Sequence, residues 1–137
     1  MVSSLVHPFT LSATTTLSFD EAVAATRAAL AEENFGVLCE IDVKAVLEEK
    51  LGIERDPYLI LGACNPAFAS QVLATDPDFG ALLPCNVVVA VVDGLTTVFA
   101  VDPDRLLRLG GDPALEPVAH EVARRLQRVV DVVGASL

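Results

Sequence analysis

The chain has few positive charges and few histidines. Nine lysines and arginines stand against nineteen aspartates and glutamates, which gives a net charge of −10. A field of this sign repels nucleic acid and anionic membranes, so neither is an expected partner. Neither His7 nor His120 lies at a ligand spacing with another histidine or with a Cys-x-x-Cys pair. The sequence therefore predicts no metal site of the common histidine or cysteine types.

Long uncharged hydrophobic runs are also missing, although 53% of the residues are hydrophobic. No stretch reaches the ~18 residues that a membrane-spanning helix needs. No basic segment precedes a long apolar run near the N-terminus, so a secretory signal is not expected. Three cysteines without a Cys-x-x-Cys pair do not indicate a disulfide framework. These features favour reduced thiols and a cytoplasmic location.

The familiar motifs of catalysis and nucleotide binding do not occur. The chain contains no GxGxxG, no Walker loop and no GxSxG. Its carboxylates fall at helix caps and on polar helix faces, where no pair is placed for acid–base chemistry. We therefore predict no catalytic residue, leave any cofactor unidentified, and lean away from an enzyme.

What the sequence does contain is a regular alternation of strand and helix patterns. Its 137 residues fit one domain, and the patterns predict the order β-α-β-α-β-α-β-β-α. This order indicates a single compact α+β domain with a mixed sheet and helices packed mainly on one face. Residues 1–9 are expected to form a flexible tail, and a C-terminal helix is expected within 114–137.

Capping and turn residues set the predicted bounds. Ser18 and Glu21 form a capping box at the start of the first helix, and Asp93-Gly94 is a strong hairpin signal. The predicted strands cover 11–18, 37–41, 58–63, 85–92 and 95–101, and the predicted helices cover 19–33, 43–51, 66–75 and about 114–133. Cys39 is expected to be a small buried core residue. The second helix is expected to turn four apolar residues inward: Val43, Val46, Leu47 and Leu51.

The hairpin at 85–101 is the most apolar part of the chain. Neither of its strands alternates cleanly between apolar and polar residues, which predicts that both faces are covered. Helices of a small domain usually cover one face of such a sheet. We therefore expect a second copy of the chain to cover the other face, so that the protein is a homodimer joined through this hairpin.

The candidate site lies within Tyr58–Val89, where two cysteines stand at element boundaries. The site consists of Cys64-Asn65-Pro66 and Cys85-Asn86. Cys64 is predicted at the carboxyl end of a strand and directly before a helix N-terminus. Free backbone N–H groups and the helix dipole at that place lower the pKa of a thiol and favour anions. If the two strands are neighbours, Cys64 and Cys85 should lie together at one end of the sheet.

Several interpretations of these residues remain open. The cysteines could act as a reactive thiol, form a two-thiolate metal site, or line a small anion pocket. Alternatively, both could be small residues that only pack at tight strand ends, with Asn65 acting as a helix cap.

Three blocks of the chain resemble a known family. They are Asn34–Leu38 with Glu40–Val43, then Leu59–Pro66, then Leu82–Val89, and their spacing is similar to that of the DUF302 family of small bacterial and archaeal proteins. The resemblance spans about 18–103. It implies a compact α+β domain that forms dimers. Members of this family have no agreed biochemical function, so the resemblance implies a fold without implying an activity.

Our first hypothesis is a ligand-binding or interaction domain, a cytoplasmic homodimer that holds a small molecule. Its predicted ligand-binding residues are Cys64, Asn65, Pro66, Cys85 and Asn86. The alternative is a thiol redox or metal-handling protein that uses Cys64 and Cys85. A third possibility is a structural module in which the cysteines only pack.

Overall fold

A single five-stranded sheet organises the computed structural model, which describes residues 7–135. The strands run in the order β1-β5-β4-β3-β2, and every neighbouring pair is antiparallel. Their bounds are β1 Thr10–Thr15, β2 Gly36–Asp42, β3 Tyr58–Cys64, β4 Cys85–Val92 and β5 Leu95–Val101. The predicted α+β class and element order are confirmed. The sheet is antiparallel throughout rather than mixed, because α2 does not carry the chain back to the starting end of β2 and β3 therefore returns beside it.

Within residues 7–135, five α-helices and two short 3₁₀ helices accompany the sheet. The α-helices are α1 Phe19–Glu32, α2 Val43–Leu51, α3 Pro66–Thr75, α4 Pro103–Leu107 and α5 Glu116–Ala135. The 3₁₀ helices cover Pro77–Leu82 and Pro113–Leu115. Of the predicted tail, residues 1–6 lie outside the described residues. None of the helices within 7–135 is long and apolar enough to cross a membrane.

The main core forms between one face of the sheet and the two longest helices. Leu30 of α1 and Leu126 and Val130 of α5 are fully buried there. They pack against alternate residues of the central strands, among them Leu61, Val87, Val89 and Val98. Period-two strands and period-3.6 helices thus contribute matching apolar faces, as the sequence patterns predicted.

The capping and turn signals act as predicted. The Ser18 N–H donates to Glu21 Oε1 at 2.9 Å, and the Glu21 N–H donates to Ser18 Oγ at 3.2 Å. Asn34, just after α1, has a φ of 65°, and the hairpin turn places Asp93 and Gly94 at φ 52° and 81°. Local chemistry therefore decides where these elements begin and end.

The apolar side chains of the β4–β5 hairpin are mostly covered within the chain. On the face away from α1 and α5, Val88 and Ala90 are buried, and the rings of Tyr58 and Phe99 meet edge-on with centroids 6.2 Å apart. The exposed large hydrophobic residues of the hairpin are those at its tip, Val92 and Leu95. The predicted self-association through 85–101 stays a prediction.

Two predictions about burial are wrong, and both concern the β2 edge of the sheet. Cys39 is exposed rather than buried. It pairs with Gly62, whose neighbours Leu61 and Ala63 point into the core, so Cys39 lies on the face away from α1 and α5. The second error concerns α2, all of which the structure describes and which has no buried residue. It connects β2 to β3, and the rest of the described chain covers its apolar side chains only in part.

Candidate functional site

An apolar cavity lies at the end of the sheet where β3 stops and β4 starts. Ala63 pairs with Cys85, and the next residue, Cys64, pairs with Gly36 of β2. This register brings Cys64 and Cys85 to the same end of the sheet, and both line the cavity. Most of the rest of the wall comes from α3, the 3₁₀ helix after it, α4 and the start of α5.

The polar side chain at the cavity edge, Asn65, caps the N-terminus of α3 through its amide oxygen. The backbone N–H groups of Ala67 and Phe68 donate to its Oδ1 at 3.1 and 3.3 Å. Pro66 follows at the first position of α3, where its missing N–H costs nothing. The capping prediction is therefore confirmed, and the amide oxygen of Asn65 is already engaged by the backbone.

The surroundings of Cys85 keep its thiol protonated. Burial, together with a smaller contribution from the nearby Cys64, raises the pKa of the Cys85 thiol from its usual 9.0 to about 11. At neutral pH Cys85 is thus almost entirely a neutral thiol. A neutral thiol behaves as a small apolar group, so Cys85 adds to the apolar wall of the cavity.

The structure does not bring all five predicted site residues together. Cys64, Asn65 and Cys85 line the cavity, whereas Pro66 is exposed at the start of α3. Asn86 is exposed and pairs with Gly62, which places it on the sheet face opposite Cys85. Successive residues of a strand point to opposite faces, so one Cys-Asn dipeptide in β4 cannot present both side chains to one cavity.

Several lining residues lie far from the predicted stretch 58–89. Phe35 precedes that stretch, and Leu107 of α4 and Val118 and Val122 of α5 follow it, whereas Phe68 and Phe79 lie within it. Three phenylalanines thus line the cavity. The sequence signal for α5 was its apolar stripe, which predicted buried side chains without indicating which neighbour they meet. The cavity is therefore a product of tertiary packing between distant segments.

The lining decides what the cavity can hold. Its lining has no aspartate, glutamate, lysine, arginine or histidine, and Asn65 and the two cysteines are its polar members. Its volume is about 50 Å³, measured as the space open to the centre of a water molecule. For comparison, an engineered apolar cavity of about 150 Å³ holds benzene. The present shape thus fits a group of a few heavy atoms, and a larger ligand requires the wall to move.

Part of the wall, α3, has few buried residues. Of its ten residues only Val72 is buried. Phe68 lies between the cavity and Arg125 of α5, whose guanidinium carbon is 5.1 Å from the ring centroid. A helix held by so few buried contacts can shift at a lower cost than the strands beneath it.

A wider polar cleft lies on the other side of α4. It is lined by Asp104, Arg108, Glu116 and His120, among others, and the His120 Nδ1 is 3.3 Å from the Asp104 Oδ2. Leu107 lines both the cleft and the cavity and separates them. Within the described residues, no three histidine, cysteine or acidic side chains are grouped as metal ligands.

The fold and the cavity together define a small α+β domain with an antiparallel five-stranded sheet and an apolar, thiol-edged cavity. The model of the family described as "Domain of unknown function DUF302" matches residues 11–133, so the chain belongs to the DUF302 family. A crystal structure of an uncharacterised conserved DUF302 protein from Bacillus stearothermophilus is similar to it, with 32% sequence identity and a TM-score of 0.85. The similarity covers 91% of this chain and 98% of the other. A search of the curated proteins finds no match.

Proposed function

We propose that this DUF302 domain binds a small, neutral, apolar molecule or the apolar end of a larger one. The observation that carries the proposal is the cavity wall, which has three phenylalanines and no charged side chain. A buried wall of this kind favours apolar groups over water and gives an ion nothing to pair with. Cys64, Asn65 and Cys85 line the edge of the site, and Pro66 starts the helix next to it. The exposed Asn86 lies on the other face of the sheet and does not line the cavity.

The alternative is thiol redox or metal handling by Cys64 and Cys85. Their position on paired strands supports this alternative, because a disulfide needs Cα atoms within about 7 Å. The raised pKa of Cys85 opposes it, because thiolates rather than thiols attack disulfides and ligate metals. Apolar binding is therefore the better-supported function, and we place it in a cytoplasmic protein without a nucleic acid or membrane partner.

Xenon is a suitable probe, since it binds dry apolar cavities and is a single atom. In ¹⁵N-resolved NMR spectra of the reduced full chain, we expect saturable shifts confined to amides around the cavity. Ala119 is a buried lining residue of α5, so a larger side chain there would block the cavity. Ala119→Leu should fill the space and abolish the shifts.

A matched control is Ala31→Leu, an exposed alanine of α1, which should bind xenon as the wild type does. Absent or scattered shifts in the wild type, or unchanged binding in Ala119→Leu, would reject the binding proposal. In the same preparation, metal content and the reactivity of each thiol test the alternative. A reversible Cys64–Cys85 disulfide or a stoichiometric metal would favour it.

We further propose that the protein is a homodimer. The sequence places the contact at 85–101, and the exposed Val92 and Leu95 at the hairpin tip are the side chains there that could make it. Sedimentation of the Val92→Glu variant tests that placement, since a charge at the tip should dissociate a dimer joined there.

A further inference from the structure

The exposed large hydrophobic residues are unevenly distributed over the described chain. Five of the twelve fall between residues 38 and 53, in β2, α2 and the segment after α2. They are Leu38, Ile41, Val46, Leu51 and Ile53. This segment is about one eighth of the described chain, so the concentration marks a surface that water solvates poorly.

The helix in this surface lacks the usual source of helix stability. Nine-residue helices are marginal in water, and packing of an apolar face normally stabilises them. Here, of the apolar side chains of α2, only Val43 and Leu47 are half-buried, and the remaining support comes from the helix ends and one tether. Asp42 accepts from the Ala45 N–H at 2.9 Å, Gly52 ends the helix at φ 66°, and Lys44 Nζ donates to the Arg55 carbonyl at 2.7 Å. A partner that covers α2 would supply the missing packing.

The charges around α2 favour a second copy of the chain as that partner. Residues 42–56 hold three basic and five acidic side chains, a net of −2 within a chain of −10. Both lysines of the chain, Lys44 and Lys50, are in α2. In this acidic molecule, these lysines give α2 basic groups that can pair with carboxylates of a second copy.

The order of side chains along α2 is also self-complementary. Asp42, Val46 and Lys50 follow one another at a spacing of four residues, so they share one face of the helix, and all three are exposed. When two such helices lie antiparallel with Val46 against Val46, each Asp42 comes level with the Lys50 of the other copy. The levels lie about 6 Å on either side of the centre, and a two-fold axis repeats the contact.

We propose that two copies of this protein associate through α2, antiparallel about Val46, with Asp42 and Lys50 of each copy paired across the interface. The inference rests on the homodimer proposed above and moves its contact from the hairpin tip to the β2–α2 edge. The hairpin side chains are mostly buried within their own chain, whereas those of α2 are not.

Sedimentation equilibrium of the full reduced chain over a wide concentration range tests the interface. Val46 and Val92 form a matched pair, since both are valines and their side chains are 43% and 40% exposed. We expect a wild-type dimer whose dissociation constant rises by more than about tenfold in Val46→Glu, while Val92→Glu leaves it unchanged. Circular dichroism should show native folding in both variants, because neither site is buried.

A charge cycle provides a second measurement. Lys50→Glu should weaken the dimer about two- to tenfold, because it sets like charges level across the interface. Asp42→Asn keeps a good helix cap and removes one of those charges. In the Lys50→Glu background, Asp42→Asn should therefore recover part of the lost affinity, whereas in the wild-type background it should weaken the dimer.

The outcomes separate this interface from the general homodimer. A wild-type chain that is monomeric at all concentrations rejects both. A dimer that Val92→Glu dissociates and Val46→Glu does not keeps the homodimer and rejects the α2 interface. A dimer that neither variant affects, or effects of Asp42→Asn that do not depend on residue 50, also rejects the α2 interface.

Discussion

At the scale of single residues, Gly62 shows how closely the outer face of the sheet is packed around the candidate site. A Cβ atom there would lie 2.6 Å from Cys39 Sγ and 2.9 Å from Cγ of Pro84. The thiol of Cys39 is exposed and can rotate away, but the proline ring cannot. Only glycine therefore lets the loop before β4 lie against β3 at this point.

We predict that Gly62→Ala lowers the free energy of unfolding by about 1–3 kcal/mol, the usual cost of overpacking. Urea denaturation measures the change. Gly36→Ala is the control, because the nearest atom to a Cβ there is 3.9 Å away. It should change stability by less than about 0.5 kcal/mol. Equal effects of the two substitutions would show that the contact with Pro84 is not the cause.

The second residue-scale prediction concerns Cys85 and alkaline pH. Its pKa in the folded chain is about 11, above its usual 9.0, so the folded state holds the proton more tightly than the unfolded state. The corresponding stability is fully present below about pH 9 and is lost as pH rises toward 11. Linkage puts the loss at up to about 2–3 kcal/mol.

Urea denaturation at several pH values between about 8 and 11 measures this loss. Cys85→Ala is the control, because it removes the titrating thiol and should flatten the extra slope between pH 9 and 11. An identical pH profile in the variant would mean that burial of the Cys85 thiol does not contribute.

At the scale of elements, the stability of α3 depends strongly on its N-terminal cap, Asn65. Asn65 accepts two backbone N–H groups and is itself buried. The helix has one buried residue, so its cap makes up a larger share of its stability than a cap of α1 or α5 does. The wall of the cavity and the start of α3 therefore depend on the same side chain.

We predict that Asn65→Ala destabilises the protein by about 0.5–2 kcal/mol and speeds hydrogen exchange of α3 amides more than that of strand amides. Asn65→Ser should restore most of the loss because serine also caps well. Asn86→Ala, at the other Cys-Asn pair, should have an effect below about 0.5 kcal/mol because that side chain is exposed. A uniform rise in exchange across the sheet would contradict a local role.

At the scale of the whole molecule, the net charge of −10 is the dominant electrostatic feature. Ion pairs such as Arg128–Glu33, at 2.8 Å, are partly exposed, and exposed pairs contribute at most about 1 kcal/mol. Repulsion among the excess carboxylates acts over the entire surface and opposes the compact state.

We therefore predict that sodium chloride stabilises the folded chain. Raising it from about 0.01 M to about 0.5 M shortens the Debye length from about 30 Å to a few ångströms. The thermal midpoint should rise by about 2–5 °C in calorimetry, since screening weakens the net repulsion more than the exposed pairs. Chloride is preferred to sulfate, which stabilises proteins by exclusion from their surface. A lower midpoint at high salt would show that the ion pairs dominate.

The sequence by itself determined the elements of this protein and its family. Capping at Ser18, the Asp93-Gly94 turn and the proline after Asn65 act between residues close in the chain, so their effects could be predicted without a structure. The two Cys-Asn pairs likewise marked the sheet end where the cavity lies.

Only the tertiary structure decided which faces are covered. The sequence pattern of α2 is amphipathic, yet the segments packed near it leave it without a buried residue. Cys39 is exposed for the same reason, and Asn86 points away from the cavity because the register of β4 gives the inward position to Cys85. Burial depends on which distant segments meet. An apolar stripe predicts that one face of a helix or strand is covered, but it does not predict which segment covers that face.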